Sequence, residues 1–529
     1  MKNRTLSNLV RVIVVCLLVS GCGEDPFIVK GNVLGLTGSV DLILDGGETL
    51  KVNNDGEFQI GSQVPNPTYS LAILNHPEQQ TCLVTTKGTG AVPEGDGNSN
   101  TSIIVEGVEI NCVDGWKGTR QWGTNQNDQL YAAALDSSDN IHMVGTRWES
   151  RGYHWILNEL TSTLEYIELF KQMGWLSRLN GSEDVLLEAD GDAVFRSIVI
   201  DDMGNSYIVG SIEGDWDDQI NQGGSDVLIT KLDARGEFLW TRLLGGSGYD
   251  SARDVALNAA GQLFVVGRTS SDEFEGNTRI GNFDGFVMQL DTDGNIGWVS
   301  LLGTTTTDYL TSVTVDNLGD VIVTGTSQGD FAGASNNGSQ DIVVAKYDTT
   351  GEQQWLTMVG GDRNEMIGGL TIDSENNIIL GGSTRSDIFY GQARLGGTDV
   401  IIVKLDSDGD LLSSSRMGSV GIETIRDIIE DSEGNLVFTG QSNNSDWSGP
   451  SLGSFDAYIM KLDSSDTQLW VEKVGSSLSD SPNFLLKDSA ENYFMGGVTE
   501  DSLPGFINVD RRESTDAFLA KFDSDGNIL

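Results

Sequence analysis

A four-strand pattern of apolar and polar positions recurs along most of this chain of 529 residues. In residues 252–303 it contains ARDVALN, QLFVVGRT, DGFVMQL and GWVSLLG, with short Gly-containing turns after the first and third segments and a longer polar loop between the second and third. Both faces of these segments are largely apolar, which indicates strands that are covered on both sides. Short turns between such segments predict a small antiparallel sheet in each unit.

The unit repeats every 57 or 58 residues over most of this region. Its clearest marker is a Trp followed five residues later by Gly, at Trp240, Trp298, Trp355 and Trp470. Ser413 takes the place of Trp in one copy, Trp175 begins an earlier copy with an insertion, and Trp116 lies near the first occurrence. Four-stranded units repeated at this length predict the blades of a β-propeller, and the Trp side chains are expected to join neighbouring blades.

The number of units follows from a second motif, an Asp that opens the third strand. It occurs at Asp226, Asp284, Asp341, Asp399, Asp456 and Asp516, and a weaker first copy centres on His154. These seven copies predict a seven-bladed propeller. Because the last repeat ends just after a third strand, residues 116–123 are expected to complete the final blade and remove an open sheet edge.

Residues 28–113 follow a different pattern, in which apolar and polar residues alternate in short segments separated by Asp-Gly and Asn-rich turns. This alternation predicts a small antiparallel β-sandwich. It resembles the Ig-like modules that often follow lipoprotein anchors, and a spacer role is the expectation. The propeller is expected to occupy residues 114–529.

Composition supports an all-β fold and excludes one class of partner. The chain has 66 Gly, 8 Pro and a hydrophobic fraction of 38%, which fits many turns and few long apolar helices. The formal net charge of −46 argues against nucleic acid, since a nucleic-acid-binding protein needs a cationic surface. The same charge favours solubility and attracts divalent cations.

The N-terminus carries a targeting signal. Basic residues precede the apolar run VIVVCLLVS, which is too short to span a membrane as a mature helix. The run leads into LVSGC, which resembles the lipobox of bacterial lipoproteins. The resemblance implies that residues 1–21 are a signal peptide, that Cys22 is acylated, for example with palmitate, and that residues 22–27 link this anchor to the first domain. An ordinary secretory signal is the alternative.

Two further expectations concern the cell envelope. Gly23, directly after the lipobox Cys, favours the outer membrane by resemblance to enterobacterial sorting, with the periplasmic or surface face left open. Cys82 and Cys112 would remain after processing and lipidation, and two such cysteines in an exported chain predict one disulfide. A pair of buried free thiols is the alternative.

The repeat resembles a known family. SSDEF, DGFVMQLDTDGNIGW and LLGGSGYDSARDVALNAAGQLFVVGRT are similar to the bacterial β-propeller repeats called SBBP repeats. The resemblance covers about residues 116–529 and implies a seven-bladed scaffold. It implies little about function, because function resides in sites added to such scaffolds.

The Asp-rich turns have two interpretations. The stretch from Asp291 to Asn295 looks like the start of a calcium loop, but an EF-hand loop needs Gly at position six and Glu at position twelve, and neither is present. A turn capped by Asp, with Gly supplying a positive φ, is therefore the preferred interpretation. The remaining weak calcium candidates are Asp406, Asp408 and Asp410, and no other cofactor is expected.

Departures from the repeat point to a ligand site. If the first strand of each blade lines the central channel, Arg196, Arg253 and Arg426 form a polar ring at the channel mouth together with Asp254 and Asp427. Such a ring is suited to bind an acidic sugar or a peptide carboxylate through bidentate contacts. The alternative is that the Arg and Asp side chains pair with each other between blades.

No catalytic motif supports an enzyme. The chain has only 3 His, too few and too scattered for a His-rich zinc site, and it has no G-x-S-x-G, P-loop or H-E-x-x-H motif. The leading hypothesis is a non-enzymatic, envelope-anchored lipoprotein whose propeller binds a protein or a glycan. The alternative is a propeller enzyme, a lyase, a hydrolase or a quinoprotein relative, with its site at the channel mouth. The ligand and the oligomeric state are left open.

Overall fold

The computed structural model describes residues 27–529 apart from defined gaps. The gaps are residues 35, 37–38, 45–47, 63–67, 76–79, 87–88, 92–102, 115–118, 123–126, 148–150, 159–162, 169–188, 191, 217–218, 445–446, 448 and 504–514. The expected signal peptide, residues 1–21, and the lipidation site Cys22 lie outside the described residues. Within the described part, no helix is long and apolar enough to cross a bilayer.

Eight strands form two four-stranded sheets before residue 115. They are β1 (Phe27–Leu34), β2 (Val40–Leu44), β3 (Glu48–Val52), β4 (Gly56–Ser62), β5 (Thr68–Asn75), β6 (Gln80–Thr86), β7 (Thr89–Ala91) and β8 (Ile103–Asp114). The strand orders are β4-β1-β8-β6 and β3-β2-β5-β7. Val33, Leu42 and Ile110 are among the fully buried residues of one hydrophobic cluster drawn from both sheets.

The next region consists of four-stranded antiparallel sheets, and six of them are continuous in the chain. Blade I contains β10 (Asp128–Leu135), β11 (Ile141–Arg147), β12 (Arg151–Asn158) and β13 (Thr163–Glu168). Blade II contains β15 (Ala193–Ile200), β16 (Ser206–Ile212), β18 (Asp226–Leu232) and β19 (Phe238–Leu244). Blade III contains β20 (Asp250–Leu257), β21 (Leu263–Thr269), β24 (Asp284–Leu290) and β25 (Ile296–Leu302).

The remaining continuous blades have the same strand order. Blade IV contains β26 (Asp308–Val315), β27 (Val321–Ser327), β28 (Asp341–Tyr347) and β29 (Gln353–Val359). Blade V contains β30 (Glu365–Ile372), β31 (Ile378–Thr384), β34 (Asp399–Leu405) and β35 (Leu411–Met417). Blade VI contains β36 (Glu423–Glu430), β37 (Leu436–Ser442), β38 (Asp456–Leu462) and β39 (Gln468–Val474). Three short two-stranded sheets accompany them: β14 (Ala189–Asp190) with β17 (Asp215–Trp216), β22 (Glu273–Phe274) with β23 (Asn277–Thr278), and β32 (Ile388–Phe389) with β33 (Gln392–Ala393).

A composite sheet joins the two ends of this region. It contains β40 (Asp480–Lys487), β41 (Tyr493–Thr499), β42 (Asp516–Phe522) and β9 (Thr119–Trp122), in that order. In the antiparallel register of β42 with β9, Ala517 is opposite Trp122 and Ala520 is opposite Thr119. The described residues of this region therefore form six continuous blades and one composite four-stranded sheet.

The sheets are arranged as a propeller. The first strand of each sheet contacts the first strand of the next, and β10 of blade I contacts β40 of the composite sheet. Hydrophobic clusters lie between neighbouring sheets. For example, Tyr207 and Val227 of blade II pack with Val255 and Met288 of blade III. The predicted all-β propeller fold is confirmed.

Tryptophan side chains join neighbouring blades. Trp298 of blade III donates its Nε1–H to the carbonyl of Thr349 in the β28–β29 turn of blade IV, at 3.2 Å. Its ring lies against Gly351 of that turn, where an added Cβ would be 2.6 Å from the ring. The equivalent tryptophan-to-carbonyl contacts are Trp240 to Thr292, Trp355 to Ser407 and Trp470 to Ser524. The expected role of the tryptophans is confirmed, and we call this contact the tryptophan clasp.

The copy without Trp has a matching change in the partner turn. Ser413 of blade V takes the Trp position, and the turn of blade VI has Asp466, with φ 60°, where the other turns have Gly. Ser415 hydrogen-bonds to the Asp466 carboxylate across this junction. Because blade V has Ser413 instead of a Trp, the facing turn of blade VI can have the side chain of Asp466 where the other turns have Gly.

The Asp-rich turns are capped by their own first residue. The Oδ1 atom of Asp291 accepts the N–H groups of Asp293 and Asn295, at 2.9 and 2.8 Å, and Gly294 has φ 79°. The calcium candidates form the same turn, because Asp406 Oδ1 accepts the N–H groups of Asp408 and Asp410. These contacts account for the first Asp and the Gly without a bound ion.

A pair of buried carboxyl groups lies at successive blade junctions. One member opens the third strand of a sheet and the other opens the first strand of the next sheet. The pairs are Asp226 with Asp250, Asp284 with Asp308, Asp341 with Glu365, Asp399 with Glu423 and Asp456 with Asp480, and all ten side chains belong to residues with 0% exposure. The Gly of the Trp-to-Gly motif lies beside the first member, since an added Cβ at Gly360 would be 2.3 Å from Asp341 Oδ1. The recurring Gly therefore leaves room for a carboxylate.

The tryptophan clasp makes a prediction about glycine substitution. Gly351→Ala should lower the free energy of unfolding by about 1–3 kcal/mol more than Gly333→Ala, because overpacking against the Trp298 ring adds to the backbone strain. Gly333 is a matched control, since its φ of 86° is close to the 87° of Gly351 and nothing lies within 4 Å of an added Cβ. Urea unfolding measures the difference, and equal losses in the two variants would contradict the clasp.

The carboxyl pair of blades IV and V makes a prediction about pH. Burial, together with the adjacent Glu365 carboxyl group, raises the pKa of Asp341 from 3.8 to about 7. Between about pH 4 and pH 7 the folded state then binds more protons than the unfolded state. The contribution of Asp341 to stability is therefore lost as the pH rises through this range. Asp341→Asn should therefore gain melting temperature relative to the parent at pH 8 but not at pH 5. The exposed Asp293→Asn is the control, and a pH-independent difference for Asp341→Asn would contradict the proton-sharing pair.

Candidate functional site: the arginine cluster of the channel

A β-bulge recurs in the first strand of every four-stranded sheet of the propeller. The register with the second strand skips one residue at each bulge, and the skipped residues are Tyr131, Arg196, Arg253, Thr311, Gly368, Arg426 and Asn483. A bulged residue has no cross-strand partner and its side chain is re-aimed by the local twist. The first strands contact each other around the ring, so the bulged residues of neighbouring blades lie on adjacent strands.

Two of the predicted arginines come together on neighbouring blades. The guanidinium carbon of Arg196 lies 4.2 Å from the centre of the Tyr131 ring of blade I. Burial, followed by the charges of Arg196 and Arg268, lowers the pKa of Arg253 to about 10. Arg253 is still charged at neutral pH, so it is held beside two other cations.

Arg268 extends this group toward the second strand of blade III. Its guanidinium carbon lies 4.9 Å from the centre of the Tyr309 ring and 5.1 Å from that of Phe283. Aromatic faces stabilise a guanidinium without neutralising it. We call Arg196, Arg253 and Arg268, with Tyr131 and Tyr309, the arginine cluster.

The cluster has no acidic partner within the part of the chain that the structure describes. The arginines that form ion pairs there are Arg279, Arg363, Arg394 and Arg416, none of which belongs to the cluster. The Nε atom of Arg196 is buried and has no hydrogen-bond partner among the described residues. At least one guanidinium donor of the cluster is therefore buried and unused among the described residues.

Arg426 occupies the equivalent bulge of blade VI. Its side chain is exposed, yet burial of its guanidinium by the surrounding protein lowers the pKa. An accessible group surrounded by protein is the expected state of a residue in a channel. Arg426 thus adds a separate positive charge to the channel lining.

The two predicted aspartates have a different environment from the arginines. The carboxylate of Asp254 accepts hydrogen bonds from Ser197 Oγ of blade II and from the N–H of Val313 in blade IV, at 2.7 and 2.9 Å. Asp427 accepts the N–H of Leu485 in the composite sheet at 2.8 Å. Burial raises the pKa of Asp254 to about 6 and that of Asp427 to about 7. Both aspartates therefore hold neighbouring sheets together, and the alternative of Arg–Asp pairing is not seen among these residues.

Sequence reasoning missed Arg268 and the aromatic residues beside it. A signal was present, since the residue that follows Gly in the second strand is Ser or Thr in blades I, II, IV and V but Arg268 in blade III. The expected calcium ligands Asp406, Asp408 and Asp410 lie in a β34–β35 turn, away from the bulged strand positions. Cys82 and Cys112 are opposite each other in the antiparallel register of β6 with β8.

The chain has distant similarity to known proteins, and no family model matches it. It is 26% identical over 149 residues to the regulatory protein FlaEY of Caulobacter vibrioides and 20% identical over 405 residues to the uncharacterized WD repeat-containing protein L264 of Acanthamoeba polyphaga mimivirus. These matches cover 26% and 58% of this chain and 15% and 29% of the two relatives, so the chain spans less than a third of either relative.

Similar solved structures are also distant. The polysaccharide lyase Uly1 has a TM-score of 0.44 and 11% identity, covering 74% of this chain and 89% of that chain. The extracellular domain of BT4673, described as part of a hybrid two-component system of B. thetaiotaomicron, has a TM-score of 0.43 and 14% identity, covering 92% of this chain and 53% of that chain. At such values the likenesses carry no argument about function.

Proposed function

We propose that this chain is an envelope-anchored binding protein whose closed, seven-sheet propeller holds a carboxylate-bearing ligand at the arginine cluster. The observation that carries the proposal is the grouping of Arg196, Arg253 and Arg268 without an acidic partner among the described residues. Neighbouring like charges repel each other, and a bound anion offsets that repulsion. Guanidinium groups suit carboxylates because they donate two parallel hydrogen bonds.

The aromatic residues favour an acidic glycan over a simple anion. Tyr131 and Tyr309 flank the arginines, and each offers an apolar ring face with a polar hydroxyl. Flat amphipathic rings suit the faces of sugar rings, while the guanidinium groups suit the carboxylate of a uronic acid. A peptide carboxylate has the same charged group and is the second ligand to be tested.

The net charge of −46 affects how an anionic ligand would bind. The surface as a whole repels anions, so binding depends on short-range contacts inside the channel rather than on long-range attraction. Moderate salt should therefore weaken binding less than it does for a protein with a cationic surface. The enzyme alternative would use the same channel and would be revealed by turnover of a bound polysaccharide.

Replacing one arginine should weaken binding selectively. Arg253→Met in the detergent-extracted full chain should raise the Kd for an oligogalacturonate at least tenfold, the equivalent of about 1.4 kcal/mol. Arg242→Gln is the control, since Arg242 lies on the outermost strand of blade II and donates to turn carbonyls. Isothermal titration calorimetry would compare this acidic glycan with a neutral glycan and with peptides that have free or amidated C-termini. Equal affinity for acidic and neutral ligands, or no effect of Arg253→Met, would contradict the proposed site.

We also propose acylation of Cys22, outer-membrane attachment and a disulfide between Cys82 and Cys112. LVSGC supports the first two, and the opposed register of the two cysteines supports the third, because directly opposite strand positions lie within the Cα separation of a disulfide. Intact mass spectrometry of the membrane-extracted protein should show loss of residues 1–21 and a mass increase for the acyl chains. It should also show a 2 Da difference after reduction. Cys22→Ser should release the protein from the membrane, whereas continued membrane retention would contradict the anchor.

A further inference from the structure

One exposed aromatic residue departs from the repeat in the same blade as two arginines of the cluster. Tyr249 lies in the connection between blades II and III, directly before β20. The residues directly before the first strand of the other sheets are Asn127, Asp192, Thr307, Asn364, Ile422 and Ser479. Tyr249 is thus the only aromatic residue at this position of the repeat, and it enters the strand that contains Arg253.

A glycine of blade II supports the Tyr249 ring. A Cβ added at Gly224 would be between 2.5 and 2.7 Å from three atoms of this ring, so the ring lies directly on the Gly224 backbone. Tyr249 is nevertheless 60% exposed. One side of the ring is therefore covered by the backbone, and the remaining surface of the ring is open to solvent. An open aromatic ring with a backbone support is a platform on which a flat ligand can stack.

Hydrogen bonds fix the backbone of Tyr249 between two blades. Its N–H donates to Ser270 Oγ at 2.7 Å, and its carbonyl accepts the N–H of Ser270 at 3.0 Å. On the side of blade II, Tyr249 forms a parallel bridge with Ser225. A group that is held in place before a ligand arrives loses little conformational freedom on binding. The Tyr249 platform therefore has a pre-organised backbone.

Tyr249 and two arginines of the cluster lie along the same pair of strands. Arg253 follows Tyr249 by four residues, and four residues of extended chain span roughly 13 Å. Arg268 lies between them along the strand, because it is opposite Ser251 in the register of β20 with β21. A single sugar ring is smaller than the distance from Tyr249 to Arg253. A chain of several sugar units is long enough to contact both.

A second exposed tyrosine of the loops lacks this combination of features. Tyr390 is 42% exposed and lies in the turn between β32 and β33, in the chain segment of blade V. The Tyr390 ring contacts the Phe389 ring edge to face, with the ring centres 4.8 Å apart. The bulged residue of blade V is Gly368 rather than an arginine. Tyr390 is therefore an exposed aromatic residue in a blade that contributes nothing to the arginine cluster.

We infer that Tyr249 is a stacking subsite for a second sugar unit of the acidic glycan held at the arginine cluster, an inference that rests on the proposed function. The apolar face of a sugar ring packs on the open surface of the Tyr249 ring, while a carboxylate of the same glycan pairs with the arginines. The ligand is then an oligosaccharide or a polysaccharide segment that follows blade III, and not a single acidic sugar.

The test compares a long and a short acidic probe, octagalacturonate and galacturonic acid, by isothermal titration calorimetry on the detergent-extracted full chain. Tyr249→Ala should raise the Kd for octagalacturonate at least fivefold and leave the Kd for galacturonic acid unchanged. Tyr249→Phe keeps the ring and should keep the affinity for both probes. Gly224→Ala should also weaken octagalacturonate binding, because the added Cβ takes the place of the ring. Tyr390→Ala is the matched control and should change neither Kd.

The outcomes separate this inference from the proposed function. If Arg253→Met weakens binding of both probes but Tyr249→Ala weakens neither, the arginine cluster stands and the stacking subsite is wrong. An equal loss for both probes in Tyr249→Ala, or an equal loss in Tyr390→Ala, would also overturn the subsite, because the change would then not depend on ligand length or on this ring. If the unchanged protein binds neither probe, the proposed function fails and the subsite fails with it.

Discussion

The packing of a tryptophan ring on the turn of the next blade is the contact on which the rest of the structure depends. A four-stranded sheet of such short strands buries little surface by itself, so each blade needs a fixed neighbour. The clasp supplies a large aromatic contact and one directional hydrogen bond at the outer part of the junction. Asp254 and Asp427 supply hydrogen bonds at the inner part. These junctions are thereby held at both their outer and their inner parts.

Acidic and basic side chains occupy different parts of the propeller. Acidic groups are buried in pairs at the blade junctions, and Arg416 and Lys473 lie beside two of these pairs. Unpaired arginines gather at the channel bulges, where the backbone departs from regular pairing. A bulged residue has no cross-strand partner, and at the bulges of blades II and III this residue is an arginine.

The sequence predicts the fold well because the repeated Trp, Gly and Asp residues make the same contacts at successive blade junctions. Gly294 and Gly351 follow from the ring of the previous blade, and Gly245 and Gly360 follow from a buried carboxylate. The site was harder to predict. The alignment of the repeats places Arg196 and Arg253 at equivalent positions. It also predicts a ligand-binding role for Asp254, because a sequence does not show that this carboxylate accepts hydrogen bonds from neighbouring blades. Arg268 was missed because its cluster depends on which neighbouring side chains face each other across two blades.

The composite sheet also constrains how the molecule is made. Its fourth strand lies near residue 120 and its third strand near residue 520, so the pairing joins segments about 400 residues apart in the chain. The six continuous blades can form their sheets as they emerge during synthesis, but β9 has no partner until β42 has been made. Throughout that interval the nascent protein exposes the unpaired edges of β9, and a chaperone that covers β9 would protect it from pairing with another chain.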